Sequence, residues 1–282
     1  MKKFTNESML VIISYLEKEL QNKDEILFEV LNPDVNIDIY AGEILKIENK
    51  EFIYRSYKSW CDLAELLFCK MLISSITLNT VVIKLQKLNK NDSFHKDLND
   101  EKNEKYGEKS TFFRINKNEE PAFLYAYMNA LKNVKIEEKT NILNLGINKA
   151  DEFEIIKEMV NEDIFKQMNF VGVDYSLSAI DFAKKRFPYE NFNFFNHDIN
   201  KLNELNLKKS DLIISIGTLQ SSSLNFKLLF MDLIQNYLED KGSIILGFPN
   251  CRWINGEMIY GAKAANYFYS EQSDLYKDVY FC

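Results

Sequence analysis

Four short clusters in the second half of the chain hold the residues best suited to grip a small polar ligand. They are Asn144-Leu-Gly146-Ile-Asn148-Lys-Ala150, Val173-Asp174-Tyr175, Asn196-His197-Asp198-Ile199 and Ser215-Ile216-Gly217-Thr-Leu-Gln220. Each follows a short apolar run. Asp174 and Asp198 are hydrogen-bond acceptors, and glycine lets backbone approach a ligand closely. Metal and nucleophilic chemistry are poorly provided for. The four cysteines, Cys61, Cys69, Cys251 and Cys282, form no CxxC pair, and only His95 and His197 stand beside them, so no metal site is expected. Cys251 has no convincing histidine partner and reads as a plain thiol, and His197 reads as a loop histidine.

The elements that must position these clusters alternate from Thr140 onward. Strands are expected at Asn141 to Leu145, Phe170 to Val173, Phe192 to Phe195, Asp211 to Ser215 and Ser243 to Phe248. Helices are expected at Asp151 to Val160, Ser178 to Arg186 and Phe226 to Leu238. Repeated βαβ units with short apolar strands indicate an α/β fold with a doubly wound, mostly parallel sheet. Ligands of such sheets bind beyond the carboxyl ends of the strands, where strand order reverses. All four clusters occupy strand ends.

Upstream, Leu10, Ile13, Leu16 and Leu20 recur at helical spacing, and a second helix fits Ser56 to Met71, with Trp60, Leu63, Leu67 and Phe68 on one face. Thr80 to Leu88 reads as a strand. Residues 1–90 therefore look like a small N-terminal α/β lobe. Residues 91–111 are rich in Asn, Asp, Lys and Glu and read as a polar linker, leaving 112–282 as the main domain. The 282 residues, with 46% hydrophobic side chains, suffice for two packed bodies. A net charge of −7 argues against a generally basic nucleic-acid surface, and no apolar run reaches the roughly 20 residues of a membrane span. A cytoplasmic protein with reduced thiols is expected.

The ordered set of strand-end clusters resembles the class I, Rossmann-like S-adenosylmethionine-dependent methyltransferases. Their first loop follows a hydrophobic-acid-hydrophobic-Gly-x-Gly-x-Gly pattern. Here Asn144 stands for the acid, Gly146 is retained, and Asn148 and Ala150 replace the second and third glycines. The resemblance implies S-adenosylmethionine as cofactor. It puts Asn144, Gly146 and Asn148 beside the methionine part, Asp174 on the ribose hydroxyls and Tyr175 on the adenine face. Asp198 and Ile199 would take the adenine edge and ring, Ile216 and Gly217 would line the same pocket, and Arg114 would reach the methionine carboxylate. A nicotinamide dinucleotide fits less well, because G-x-G-x-x-G is absent and Asp151 and Glu152 would repel a pyrophosphate.

The resemblance further implies methyl transfer to an acceptor, with no catalytic base assigned. Residues after the fifth strand and fourth-strand loop, Gln220, Asn250, Arg252 and Tyr260, are the candidates to contact it. A small-molecule acceptor is favoured over RNA or protein because the chain is acidic, and the rival reading is a non-catalytic methyltransferase-like binding module. The chain also reads as stopping before the two final strands of that fold, with residues 273–282 forming a helix. Thr80 to Leu88 is then the expected filler of the exposed fifth-strand edge.

Overall fold

The computed structural model describes residues 1–35, 38–92, 104–221, 223–260 and 272–282. The chain divides into two compact units: Met1–Ser93 with Arg252–Tyr260, and Phe94–Cys251 with Gly261–Cys282.

In the first unit the order is β1 (Lys2–Lys3), α1 (Met9–Asn22), β2 (Glu25–Leu31), β3 (Ile44–Ile47), β4 (Lys50–Ile53), α2 (Tyr57–Leu66), β5 (Cys69–Ile76) and β6 (Thr80–Lys87). A four-stranded sheet runs β1-β2-β6-β5, and β3 and β4 form a separate hairpin. Alternation along β6 turns Val81, Ile83 and Leu85 into a core shared with Ile12, Leu16 and Leu20 of α1 and Trp60 and Leu63 of α2. Serine side chains start both helices: Ser8 accepts from the Val11 amide and Ser56 from the Ser59 amide.

Three expectations for this region are corrected. The buried face of α1 runs through Ile12 rather than Leu10, which is 74% exposed. The second helix ends at Leu66 instead of Met71, because Phe68 turns left-handed (φ 53°) and Cys69 opens a strand that pairs with β6. Thr80–Lys87 is not the filler of a distant edge, since β2 and β5 occupy both of its sides.

The second unit begins with the helical turn Phe112–Arg114 and α3 (Pro121–Asn133). It continues through β7 (Asn141–Leu145), α4 (Asp151–Met159), α5 (Glu162–Gln167), β8 (Asn169–Asp174), α6 (Leu177–Arg186), β9 (Phe192–Asn196), β10 (Ser210–Ile216), α7 (Phe226–Asp232) and β11 (Leu238–Gly247). Its sheet is parallel throughout, in the order β11-β10-β7-β8-β9. One face packs on Tyr127, Leu131, Phe153, Ile156, Ile180 and Ala183 from α3, α4 and α6. The other packs on Phe226, Leu229 and Phe230 of α7, together with Ile199 and Leu202. The sheet is thus wound on both sides. Chain order runs outward from β7 to β9 and then returns to β10, so the strand order reverses between β7 and β10.

The helix expected to Leu238 narrows to α7 followed by a π-helical turn, Leu233–Tyr237. Register shifts from Ser210↔Leu238 to Leu212↔Ser243, which bulges Glu239–Gly242 out of β11. After β11 the hairpin β12 (Cys251–Ile254) and β13 (Glu257–Tyr260) follows, then α8 (Gln272–Phe281). Among the described residues β11 pairs only with β10 within this sheet.

Candidate functional site

The loop after β7 carries three left-handed residues at alternate positions: Gly146 (φ 73°), Asn148 (φ 46°) and Ala150 (φ 62°). The backbone of a three-glycine loop therefore persists where two glycines are absent. Asn tolerates this region well, whereas a left-handed Ala costs roughly 1–2 kcal/mol. Position 146 admits no larger residue, because a Cβ there would lie 2.0 Å from the Thr218 Oγ1. The loop after β10, with Gly217 at φ 70°, thus closes against the loop after β7 at the point of strand-order reversal.

Asp174 ties this loop to the end of β8. Its Oδ2 accepts from the Asn148 amide at 2.8 Å and its Oδ1 from the Ser176 amide at 2.9 Å. The two carboxylate oxygens offer about four acceptor sites, so the group keeps capacity for a further donor such as a ribose hydroxyl. Burial pushes the Asp174 carboxyl above its ordinary range, against the pull of the Ser176, Asn148 and Tyr175 amides, and the charge of Glu104 adds to the rise.

Glu104 belongs to the stretch expected as linker. Within the described residues that stretch is folded onto the second unit from Glu104 onward, and residues 93–103 lie outside the description. The Glu104 carboxylate accepts from the Ser176 hydroxyl at 3.0 Å and from the Ser178 hydroxyl. The Tyr106 carbonyl accepts from the Asn148 side chain at 2.7 Å, and Phe113 packs edge-on to Phe182 at 5.1 Å. Composition concealed this contact. The signals that could have exposed it are Tyr106, Phe112 and Phe113, aromatic residues in an otherwise polar run.

Asn144 is fully buried on β7, and neither its Oδ1 nor its Nδ2 has a hydrogen-bond partner. Gln220 is 3% exposed, with an unpartnered Oε1. Buried amides without partners are costly; Asn144 lies on β7 and Gln220 in the loop after β10, the two strands between which the order reverses, where a polar ligand would satisfy them. Together with the spare acceptor sites of Asp174, they suit a cofactor bearing hydroxyl, ammonium and carboxylate groups.

The remaining candidates divide. Ile199 is buried, and Tyr175 is 51% exposed beside Asp174. Asp198 caps the following helical turn, its Oδ1 accepting from the Asn200 amide at 2.9 Å, which leaves Oδ2 for another donor. Ile216 ends β10 before Gly217. His197 is held by the Lys201 carbonyl at 3.0 Å. Arg114 is exposed at the end of its turn, and Asn250 is exposed after β11. Arg252 donates to the Lys90 carbonyl at 2.7 Å, and Arg252 and Tyr260 belong to the first compact unit. Lys263 lies outside the described residues. Burial, with the charge of Glu120, pushes the Cys251 thiol up, which keeps it protonated.

The acids at the start of α4 are neutralised rather than free. Arg186 donates to Asp151 at 2.7 Å, to the Lys149 carbonyl at 2.7 Å and to Glu154. Lys117 pairs with Glu152, which is 1% exposed. These side chains occupy the helix N-terminus where a dinucleotide phosphate would sit.

The family described as Methyltransferase domain matches residues 136–276, half of the chain. Solved structures of low similarity include the plantazolicin methyltransferase BpumL in complex with SAH. It is 18% identical over 51% of this chain and 55% of that chain, with a TM-score of 0.39. Coclaurine N-methyltransferase bound to N-methylheliamine and SAH is 17% identical over 44% of this chain and 35% of that one, with a TM-score of 0.37. A Podospora anserina methyltransferase bound to SAH is 13% identical over 43% and 51%, with a TM-score of 0.36. The chain spans about half the length of such structures, as in the 45% covered of BpumL with a triazolic analogue. No curated protein sequence matches it. With the parallel sheet in this order and the family match over its strands and loops, the chain belongs to the class I S-adenosylmethionine-dependent methyltransferase domain family.

Proposed function

We propose that this protein methylates a small-molecule acceptor, with S-adenosylmethionine seated across the ends of β7, β8, β9 and β10. The observation that carries the reading is the loop after β7. Its three glycine positions keep left-handed backbone while Asp174 holds the loop and retains acceptor sites. In this reading Asp174 accepts the ribose hydroxyls, Tyr175 and Ile199 cover the adenine, and Asp198 takes its amino group through Oδ2. Gly146 gives the methionine part close backbone approach, and the unpartnered Asn144 amide faces its polar groups. Bound S-adenosylmethionine supplies an electrophilic methyl on a sulfonium, so the chain's own residues align the acceptor and exclude water.

Gln220 is the foremost acceptor-side candidate, because its buried Oε1 can accept one donor from a substrate hydroxyl or amine. Asn250, exposed past β11, is a second. The net charge of −7 favours a small molecule over nucleic acid. No helix among the described residues is long and apolar enough to cross a membrane.

The test is incubation with methyl-labelled cofactor and cell extract, followed by size separation. Label in the small-molecule fraction supports the proposal. Label only in protein or RNA, or none despite calorimetric cofactor binding, refutes the acceptor class or the activity.

A further inference from the structure

The first unit contains a cavity of about 350 Å³ lined by Ser8, Met9, Gly42, Ile53, Arg55 and Ser59. Two helices begin at it: Ser8 and Met9 start α1, and Ser59 lies in the first turn of α2. Gly42 lies in the loop before β3, at φ 99°, and a Cβ placed there would meet nothing within 4 Å.

Arg55 is the unusual member. It is 6% exposed and has no ion-pair partner among the described residues. One nitrogen donates to the Glu7 carbonyl at 2.5 Å, and the guanidinium lies 5.8 Å from the Trp60 ring centroid. A guanidinium has five N–H donors, so most of its capacity is not met by protein. The acid whose charge bears on it, Glu7, is already engaged by Lys2 at 2.9 Å and by the Thr5 amide at 2.7 Å. Burial accordingly pulls the Arg55 pKa down, with only the Glu7 charge opposing. A buried cation without an ion-pair partner is costly to maintain, and no acidic side chain lines the cavity.

We propose that this cavity binds an oxyanion, the carboxylate or phosphate group of a small molecule. The planar fork of Arg55 grips two of its oxygens. Ser8 and Met9 at the start of α1 and Ser59 in the first turn of α2 line the same space, at the positive ends of both helices, and the Ser59 hydroxyl, 3.2 Å from that of Ser56, adds a polar group to it. The site is independent of the cofactor assignment, so either can fail alone.

Full-length protein is titrated with inorganic phosphate and, separately, with acetate, using amide NMR at constant ionic strength set by chloride. The expected result is saturable binding with shifts centred on the amides of Met9, Gly42 and Ser59, weakened about tenfold or more in Arg55→Gln. Tighter phosphate indicates a phosphoryl ligand and tighter acetate a carboxylate ligand; both support the site. Shifts that are linear in concentration, that centre elsewhere, or that acetamide reproduces would overturn it. So would an Arg55→Gln protein binding within twofold of wild type. If that variant does not fold, the wild-type shift map and the acetamide control decide.

Discussion

Replacing Asp174 tests whether one carboxylate both holds the cofactor loop and receives the ribose. In Asp174→Ala the Asn148 and Ser176 amides lose acceptors at 2.8 and 2.9 Å. A hydrogen bond to a charged group contributes about 1.5–3 kcal/mol. Part of that is offset, because the variant no longer keeps a carboxylate desolvated enough to raise its pKa. A net loss of about 2–4 kcal/mol is expected, which for a chain of this size lowers the melting temperature by roughly 5–15 °C. A ligand-induced melting shift would therefore mix loop damage with lost affinity.

Asp174→Asn separates the two effects. It keeps one acceptor oxygen but turns an amide group toward a backbone N–H, so it folds with a smaller loss. It also removes one charged acceptor from the ribose, worth roughly 10- to 150-fold in dissociation constant. Calorimetric titration with S-adenosylhomocysteine, well below both melting temperatures, reads that change without interference from unfolding. If folded Asp174→Asn binds within twofold of wild type, the ribose assignment is wrong. If Asp174→Ala melts within about 2 °C of wild type, the carboxylate does not hold the loop.

The pH dependence has a defined sign: the raised Asp174 pKa favours the folded state at low pH, and that contribution is lost as pH rises through it. Cofactor affinity should run the other way, falling on acidification through the same pKa in wild type and staying flat there in Asp174→Asn; parallel profiles in calorimetry would exclude Asp174 as the titrating group. Ala150→Gly relieves left-handed strain of about 1–2 kcal/mol but loses a buried methyl of about 0.8 kcal/mol and adds unfolded-state entropy. Urea denaturation should therefore place it within about 1 kcal/mol of wild type. A loss above 2 kcal/mol would show that Ala150 is unstrained. Arg186→Met leaves the 8%-exposed Asp151 carboxylate with Lys149 at 3.6 Å in place of the 2.7 Å arginine bond and should cost about 1–3 kcal/mol, and Asp151→Asn in the same chain should recover part of it; a loss under 0.5 kcal/mol contradicts a buried pair.

Much of the second unit was legible locally. Runs such as Asn141–Leu145 and Ser210–Ile216 carry their strand character in their own residues, and the turns after them are fixed by chain order, so the candidate loops could be placed without tertiary information. The family resemblance rested on the same local order, which survives even though Asn148 and Ala150 replaced glycines. The first unit was harder to read. Phe68 gives no sequence sign that it will turn left-handed, and the apolar strand Thr80–Lys87 could have completed either sheet.

What only the tertiary structure decided are pairings between residues distant in sequence. Glu104 reaches Ser178 across 74 positions, and the Arg252–Tyr260 hairpin groups with Met1–Ser93. Arg55 becomes a buried cation only because two helices begin around it. Periodicity tells a segment which face to bury and nothing about the partner. The partner is chosen when loop closure and complementary apolar surface are settled for the whole chain together, and the unpaired polar groups left behind then mark where a ligand belongs.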